Sequence, residues 1–496
     1  MDCTLGVDVG TSGAKAIVVD AEGRVLARGS AEYPLQTPAA GWAEQDPEDW
    51  VQGAQQATAE ALQASGARDR VGAVGFTGQM HSAVFLDASD RVLRPAILWC
   101  DQRTVECCET LTDRLGGPEG TVSRCLNKVL PGFTAPKVLW LAQHEPQHYR
   151  QVRRLLVGKD YVRFRWTGVA SSEVTDASGT LLLDVPNRCW SPELMAAAGV
   201  DPEWLGPVTE SHEVAGQLSA EVADALGLRP GIPVVAGAGD QAAGALGCGL
   251  AEAGFVSVSL GTSGVVFGVC EQPLRDAGGS LHSFAHAVPG RWHGMGVVLS
   301  AGGAIRWFRD ALGEGGPDYA RLDAEAADVA PGSEGICFLP YLTGERTPID
   351  DPAARGAFAG LDLRHGRAHL ARSVLEGVSF ALGDCFDLAR RCGLEAQRVR
   401  VTGGGARSPL LLQILASVFG CQVHTLSHDE GPAFGAAMLA AASSDDDPRR
   451  GLIERSARWI VESGVVSPEP AAMEAYGPAR ERYRSLYQQL RPLHTA

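Results

Sequence analysis

Residues 5–20 read LGVDVGTSGAKAIVVD, and residues 256–269 read VSVSLGTSGVVFGV. In both, an apolar run stops at GTSG and another resumes, the pattern of a strand, a tight turn and a second strand. The tetrapeptide occupies Gly10 to Gly13 and again Gly261 to Gly264, about half a chain apart. In a chain of 496 residues this repeat predicts two related halves, because one hydrophobic core seldom grows to that size.

The neighbouring stretches extend the pattern. DAEG at Asp20 to Gly23 closes a second turn. In GWAEQDPEDWVQGAQQATAEALQA, Asp46 suits an N-cap, Pro47 the first helical position, and Glu48 and Asp49 the positive helix end. Trp50, Ala54, Ala57, Ala61 and Leu62 then recur at helical spacing. A strand over 71–77 leads into the loop GQMHS and a hairpin over AVFLDASDRVLRPAILW. Three strands, a helix and a strand predict an α/β fold with a mixed sheet. The second half repeats the order through GRWHGMGVVLS and the helical AGGAIRWFRDAL. The boundary is expected within 246–254, giving domains 1–248 and 249–496. SSDDDPRR at Ser443 to Arg450 reads as an exposed acidic loop before a terminal amphipathic helix ending near Leu490.

Composition excludes several classes. A net charge of −16 and no run of five basic residues argue against a nucleic-acid partner. No apolar stretch approaches 20 residues and the start MDCTLGVDVG lacks a signal-peptide succession, so a cytoplasmic protein without a membrane span is expected. None of the twelve cysteines forms a C-x-x-C pair, and the adjacent Cys107 and Cys108 suit no shared metal; reduced thiols follow.

A GTSG turn supplies closely spaced N–H groups and two hydroxyls, the parts of a phosphate site. One copy is most often a plain turn. Two copies, Gly10, Thr11 and Ser12 with Gly261, Thr262 and Ser263, suit a polyphosphate clasped from both halves. Asp8 precedes the first turn where Ser259 precedes the second, so Asp8 is a candidate Mg²⁺ ligand, or else an Asp bonding its own turn. In VVAGAGDQAAGAL, Asp240 lies between a strand ending near Ala236 and a helix beginning near Gln241. It can take a proton from an attacking hydroxyl, or simply cap the helix. Gly237, Gly239 and Ala242 also satisfy G-x-G-x-x-A, but Asp240 would then face a pyrophosphate with like charge. VTGGGARS at 401–408 offers bare backbone to a flat ligand, and no Walker A motif exists in the chain. Gln79, Met80 and His81 follow a strand, where donors and a ring meet a polyol. His282 and His286 have the spacing of a zinc pair but lack the Glu of H-E-x-x-H and a convincing third ligand.

The two GTSG turns, GDQAAGA, GGGARS, GPAFGAA, GFTGQMHSAVFLD and FLPYLTGERTP together resemble the FGGY family of carbohydrate kinases over nearly the whole chain. The resemblance implies two domains of the actin/hexokinase-like, ribonuclease-H-like fold around a central cleft. It implies transfer of the γ-phosphoryl of ATP, with Mg²⁺, to the terminal hydroxyl of an open-chain ketopentose. D-xylulose is the first expectation, with ribulose, glycerol and gluconate as alternatives and a nonenzymatic actin-like ATP-binding protein as the remote one. On this reading Asp240 matches the general base and Asp8 the carboxylate near Mg²⁺. Gln79, Met80, His81, Asp101 and Gln241 lie at the sugar, and Gly404, Gly405, Ser408 and Trp307 at the nucleotide. Cys100 and Gln241 depart from the pattern expected for D-xylulose, which puts the sugar contacts in question. A homodimer is implied by the resemblance alone.

Overall fold

The computed structural model describes residues 2–313, 316–427 and 430–494. Two seven-stranded mixed sheets organise it. The first runs Val214–Gln217, Pro233–Val235, Val71–Gly78, Cys3–Val9, Gly13–Asp20, Val25–Glu32, with Ala238–Gly239 also paired to Val71–Gly78. The second runs His282–Ala285, Trp292–Val298, Gly264–Cys270, Phe255–Leu260, Arg398–Thr402, Val423–Leu426, Glu462–Val466. Each GTSG joins two antiparallel strands, with Val9 opposite Ala14 and Leu260 opposite Gly264. Each first strand carries a parallel partner on its other side, which sets Asp8 beside Thr77 and Ser259 beside Thr402. The repeated tetrapeptide thus marks a repeated three-strand unit.

The helix Pro47–Ser65 begins where its cap residue implies: Asp46 Oδ1 accepts from the Glu48 N–H at 3.0 Å. Its apolar stripe of Trp50, Ala54, Ala57, Ala61 and Leu62 is wholly buried. Two expected elements differ. Residues 83–99 form the hairpin with a broken ladder: Leu86 bridges Val92 and Ala83 bridges Ile97 across it, while Val84–Leu86 also pairs with Arg154–Leu156 and Ala96–Ile97 with Glu44–Gln45. SSDDDPRR is a loop only as far as Asp447, which caps the helix Pro448–Trp459; that helix and Pro470–Leu490 flank the edge strand Glu462–Val466. That strand alternates half-buried and exposed residues, so it lacks the apolar run that announces a central strand.

Two helices meet between the sheets, Asp240–Gly247 and Gly431–Ala442. The second belongs to the last third of the chain, yet it packs on the first sheet as well as on the first helix. Glycine makes the approach feasible: a Cβ on Gly6 would lie 2.0 Å from the Ala433 carbonyl oxygen, and one on Gly435 1.9 Å from that of Ala243. GPAFGAAMLAAA is small and apolar all round, as a helix enclosed on every side must be. Farther along the cleft, Asn127 Nδ2 donates to the Ser283 carbonyl at 3.0 Å and Lys128 pairs with Asp350 at 2.5 Å. Among the described residues no helix is long and apolar enough to cross a membrane, and no disulfide forms.

Candidate active site

The two turns are built alike and fixed differently. Gly10 N–H donates to the Gly13 carbonyl at 3.1 Å, and Gly261 N–H to that of Ser263 at 3.0 Å. None of the four turn glycines has a positive φ. The last glycine of each turn serves close approach instead: a Cβ on Gly13 would sit 2.4 Å from the Ala31 oxygen, one on Gly264 2.8 Å from Leu382. Thr11 donates to Gln79 Oε1 at 3.1 Å and accepts from the Trp99 indole at 3.0 Å, while its carbonyl accepts from Gln45 Nε2 at 2.8 Å. The Thr262 carbonyl accepts from Ala301 and Gly303 at the start of the helix Gly302–Ala311. Ser12 stands exposed at its turn and Ser263 half-buried at the other.

Against the second turn lies a cavity of about 790 Å³, bounded by Thr262, Arg306, Tyr319, Leu375, Gly404 and Ser408 among others. Gly403 (φ 78°) and Gly405 press onto Leu260, whereas a Cβ on Gly404 would meet nothing nearer than 4.0 Å, so Gly404 presents the bare backbone. Ser408 Oγ caps the helix Pro409–Phe419 through Leu411 N–H and donates to Asp323 Oδ2 at 2.6 Å. Arg306 and Tyr319 escaped the sequence reading, since neither belongs to a motif.

Asp240 is the first residue of its helix, with Gly239 as N-cap. Burial, then the charge of Asp8, pushes its carboxyl up to about 7, against hydrogen bonds from the Gln241 backbone and side chain. Asp8 is raised to about 6 by burial, opposed by Lys15, and its buried Oδ1 has no hydrogen-bond partner among the described residues. Two buried carboxylates with raised protonation points, Asp240 in part through the charge of Asp8, therefore stand near the first turn.

Met80 and His81 close on the same place. A Cβ on Gly239 would lie 2.8 Å from Met80 Cγ, and one on Gly179 2.7 Å from the His81 ring. His81 holds a positive φ of 71°, an uncommon conformation for a ring-bearing residue. Its Nδ1 is 2.6 Å from the Gly179 carbonyl oxygen. A carbonyl only accepts, so Nδ1 carries the hydrogen and Nε2 keeps a lone pair. Burial, then Lys137, lowers this imidazole to about 3, which keeps it neutral.

Three expected site residues lie elsewhere. Gln79 is buried, its Oε1 accepting from Thr11 and its Nε2 donating to Gln45 and the Gly10 carbonyl, so it braces the turn. Asp101 is fully buried, both oxygens taken by Arg103 and by the Ala43 N–H at 2.6 Å. Trp307 is 43% exposed and stacks on Phe338 at 6.2 Å, because the helix turn delivers Ile305 and Arg306 to the cavity and carries Trp307 past it. The dinucleotide reading also fails on space: Gly237 is packed against the Phe76 oxygen and Gly239 against Met80. His282 opens a strand beside Asn127 Oδ1 and His286 Nε2 bonds the Leu250 carbonyl, and no group of three metal-ligating side chains exists among the described residues.

Residues 3–247 match the N-terminal domain of the FGGY family of carbohydrate kinases, and residues 256–444 its C-terminal domain. The chain belongs to the FGGY family of carbohydrate kinases. This kinase is 43% identical to a xylulose kinase of Escherichia coli K12 over 493 residues, 99% of each chain. It is 37% identical to a xylulose kinase of Bacillus subtilis, over 100% of this chain and 99% of that one. A solved structure described as a xyloylose kinase from Brucella ovis superposes with a TM-score of 0.93 at 37% identity, over 99% of this chain and all of the other. The two-domain actin/hexokinase-like fold is that of the family, and its members are phosphotransferases that take ATP, with a divalent metal, as phosphoryl donor.

Proposed function

We propose that this kinase phosphorylates the terminal hydroxyl of D-xylulose to give D-xylulose 5-phosphate, with Asp240 as general base. The observation that carries the reading is the meeting of Met80 and the neutral His81 at Gly179, with Met80 also against Gly239, the residue before a carboxylate held near 7. A base poised there is matched to neutral pH. The full-length likeness to xylulose kinases supports the choice of sugar. The acceptor hydroxyl gives its proton to Asp240 as its oxygen bonds the γ-phosphorus; the bond to the bridging oxygen breaks and ADP leaves. His81 Nε2 accepts from a sugar hydroxyl and Met80 packs on the carbon chain. The two turns direct N–H groups to the phosphates, and the cavity beside Gly404 receives the adenosine.

Asp8 fits a hard cation: its unpartnered oxygen is the single carboxylate that Mg²⁺ asks of a protein when phosphates and water complete its shell. When bound, Mg²⁺ supplies charge neutralisation across the phosphate oxygens. We place the enzyme in the cytoplasm, divided near residue 248 into an acceptor half and a nucleotide half.

The test is coupled ADP release with Mg²⁺ and ATP over D-xylulose, D-ribulose, L-ribulose, glycerol and D-gluconate. D-xylulose alone should give a strong response. Preference for another acceptor would overturn the choice of sugar and keep the chemistry. Silence across all five would overturn the kinase reading of the site. Asp240→Asn should abolish transfer with ATP affinity within a few-fold; retained turnover would remove Asp240 from the role of base.

A further inference from the structure

Behind the acceptor loop lies a cluster of charges with no exposed side-chain surface: Lys159, Asp160, Arg163, Glu173 and Asp176. Lys159 Nζ stands 2.6 Å from Asp160, 3.2 Å from Asp176 and 3.4 Å from Glu173. Burying such a group costs desolvation that well-packed apolar residues would avoid, so stability alone is a weak reason for it.

The hydrogen bonds lead from this cluster to the reacting groups. Glu173 Oε1 accepts from the Thr175 hydroxyl at 2.7 Å, and its Oε2 from the Ser211 hydroxyl at 2.9 Å. Because a carboxylate only accepts, the Thr175 hydrogen points at Glu173 and its lone pair is left for the Gly239 N–H, at 2.8 Å. The Ser211 carbonyl meanwhile accepts from the Gly237 N–H at 2.9 Å. One buried carboxylate therefore anchors both Gly237 and Gly239, the residues that bracket the loop before Asp240. The same segment ends at Gly179, whose carbonyl fixes His81, and Ser178 Oγ accepts from the Ala285 N–H of the second sheet at 3.0 Å.

We infer that Glu173 and Thr175 are positioning residues for phosphoryl transfer, setting the Asp240 peptide against the acceptor loop of Met80 and His81 through the Glu173–Gly179 segment. The inference rests on Asp240 being the base. A misplacement of the order of 1 Å in a reacting group costs roughly 100-fold in rate, whereas a phosphate site built on other loops is left alone.

Thr175→Val keeps shape and removes the acceptor for Gly239. It should lower kcat for sugar phosphorylation roughly 10- to 100-fold with the KM for ATP unchanged, and Thr175→Ser should restore most of the rate. Thr175→Ala carries the same expectation should the valine variant fail to accumulate. Wild-type kcat without the hydroxyl would overturn the inference. So would equal losses in the serine and valine variants together with a raised KM for ATP, the outcome of loosened packing. Asp240→Asn assayed alongside separates the two failures: an inactive asparagine variant beside a fully active valine variant overturns this inference alone, and an active asparagine variant overturns the reading beneath it.

Discussion

Asp240 carries its consequence at the level of a single proton. Its carboxyl lies near 7, above the ordinary value, chiefly through burial and then the charge of Asp8, so the native protein holds a proton there that the unfolded chain releases. Folding stability from this group is present at low pH and declines as pH rises from about 4 through about 7. Asp240→Asn should therefore be more stable than the wild type at pH 8 by about 0.5–2 kcal/mol, read as a raised unfolding temperature, with the gain vanishing towards pH 4. Catalysis runs the opposite way: kcat/KM for the sugar should fall as pH drops below about 7, because a protonated base accepts nothing. An asparagine variant less stable at pH 8 would count against the raised carboxyl. At this scale the sequence singled out Thr11, His81 and Asp240 as candidates, because their neighbours are glycines and turn residues with a readable local logic. It misled at Gln79 and Asp101, since polar residues beside a motif look alike whether they face a ligand or hold another loop. It was silent on Thr175, whose partner Gly239 is distant in the chain and joined to it only by the fold.

Among elements, the helix Gly431–Ala442 depends on side chains that are missing. With a Cβ on Gly435 only 1.9 Å from the Ala243 oxygen, Gly435→Ala forces backbone apart at the crossing of the two central helices. Overpacking of that kind costs about 1–3 kcal/mol, to be read as a lowered midpoint in denaturant or heat. A wild-type midpoint would mean that the crossing yields without cost. The crossing was not legible from composition, because GPAFGAAMLAAA reads equally as any buried helix. The first hairpin and the helix Pro47–Ser65 were legible, their signals being local: a turn, a cap, a stripe. Residues 83–99 were legible as a hairpin, with Leu86 opposite Val92 and Ala83 opposite Ile97, but their second partners outside the segment were not, because alternation gives a strand its character and not all of its mates.

For the whole molecule, the family's two-domain fold sets the loop of Met80 and His81 in the first half and the cavity beside Gly404 in the second, on the proposed reading the acceptor and nucleotide sides of a cleft. Closing such a cleft excludes water from the γ-phosphoryl. ATP hydrolysis without sugar should accordingly run far below the rate of ADP release with it, and sugar-independent hydrolysis at the full rate would contradict closure. The duplication was readable from GTSG alone, while the return of the late helix to the first sheet was not, since no local pattern records which half a helix will cover. That return also orders events during synthesis. The first sheet is complete once residue 239 has been made, yet the face around Gly6 and Gly75 stays uncovered until residue 442 leaves the ribosome. At about 5–20 residues per second the nascent half waits ten seconds or more with apolar strands exposed, a stretch of its life in which chaperones have the most to do.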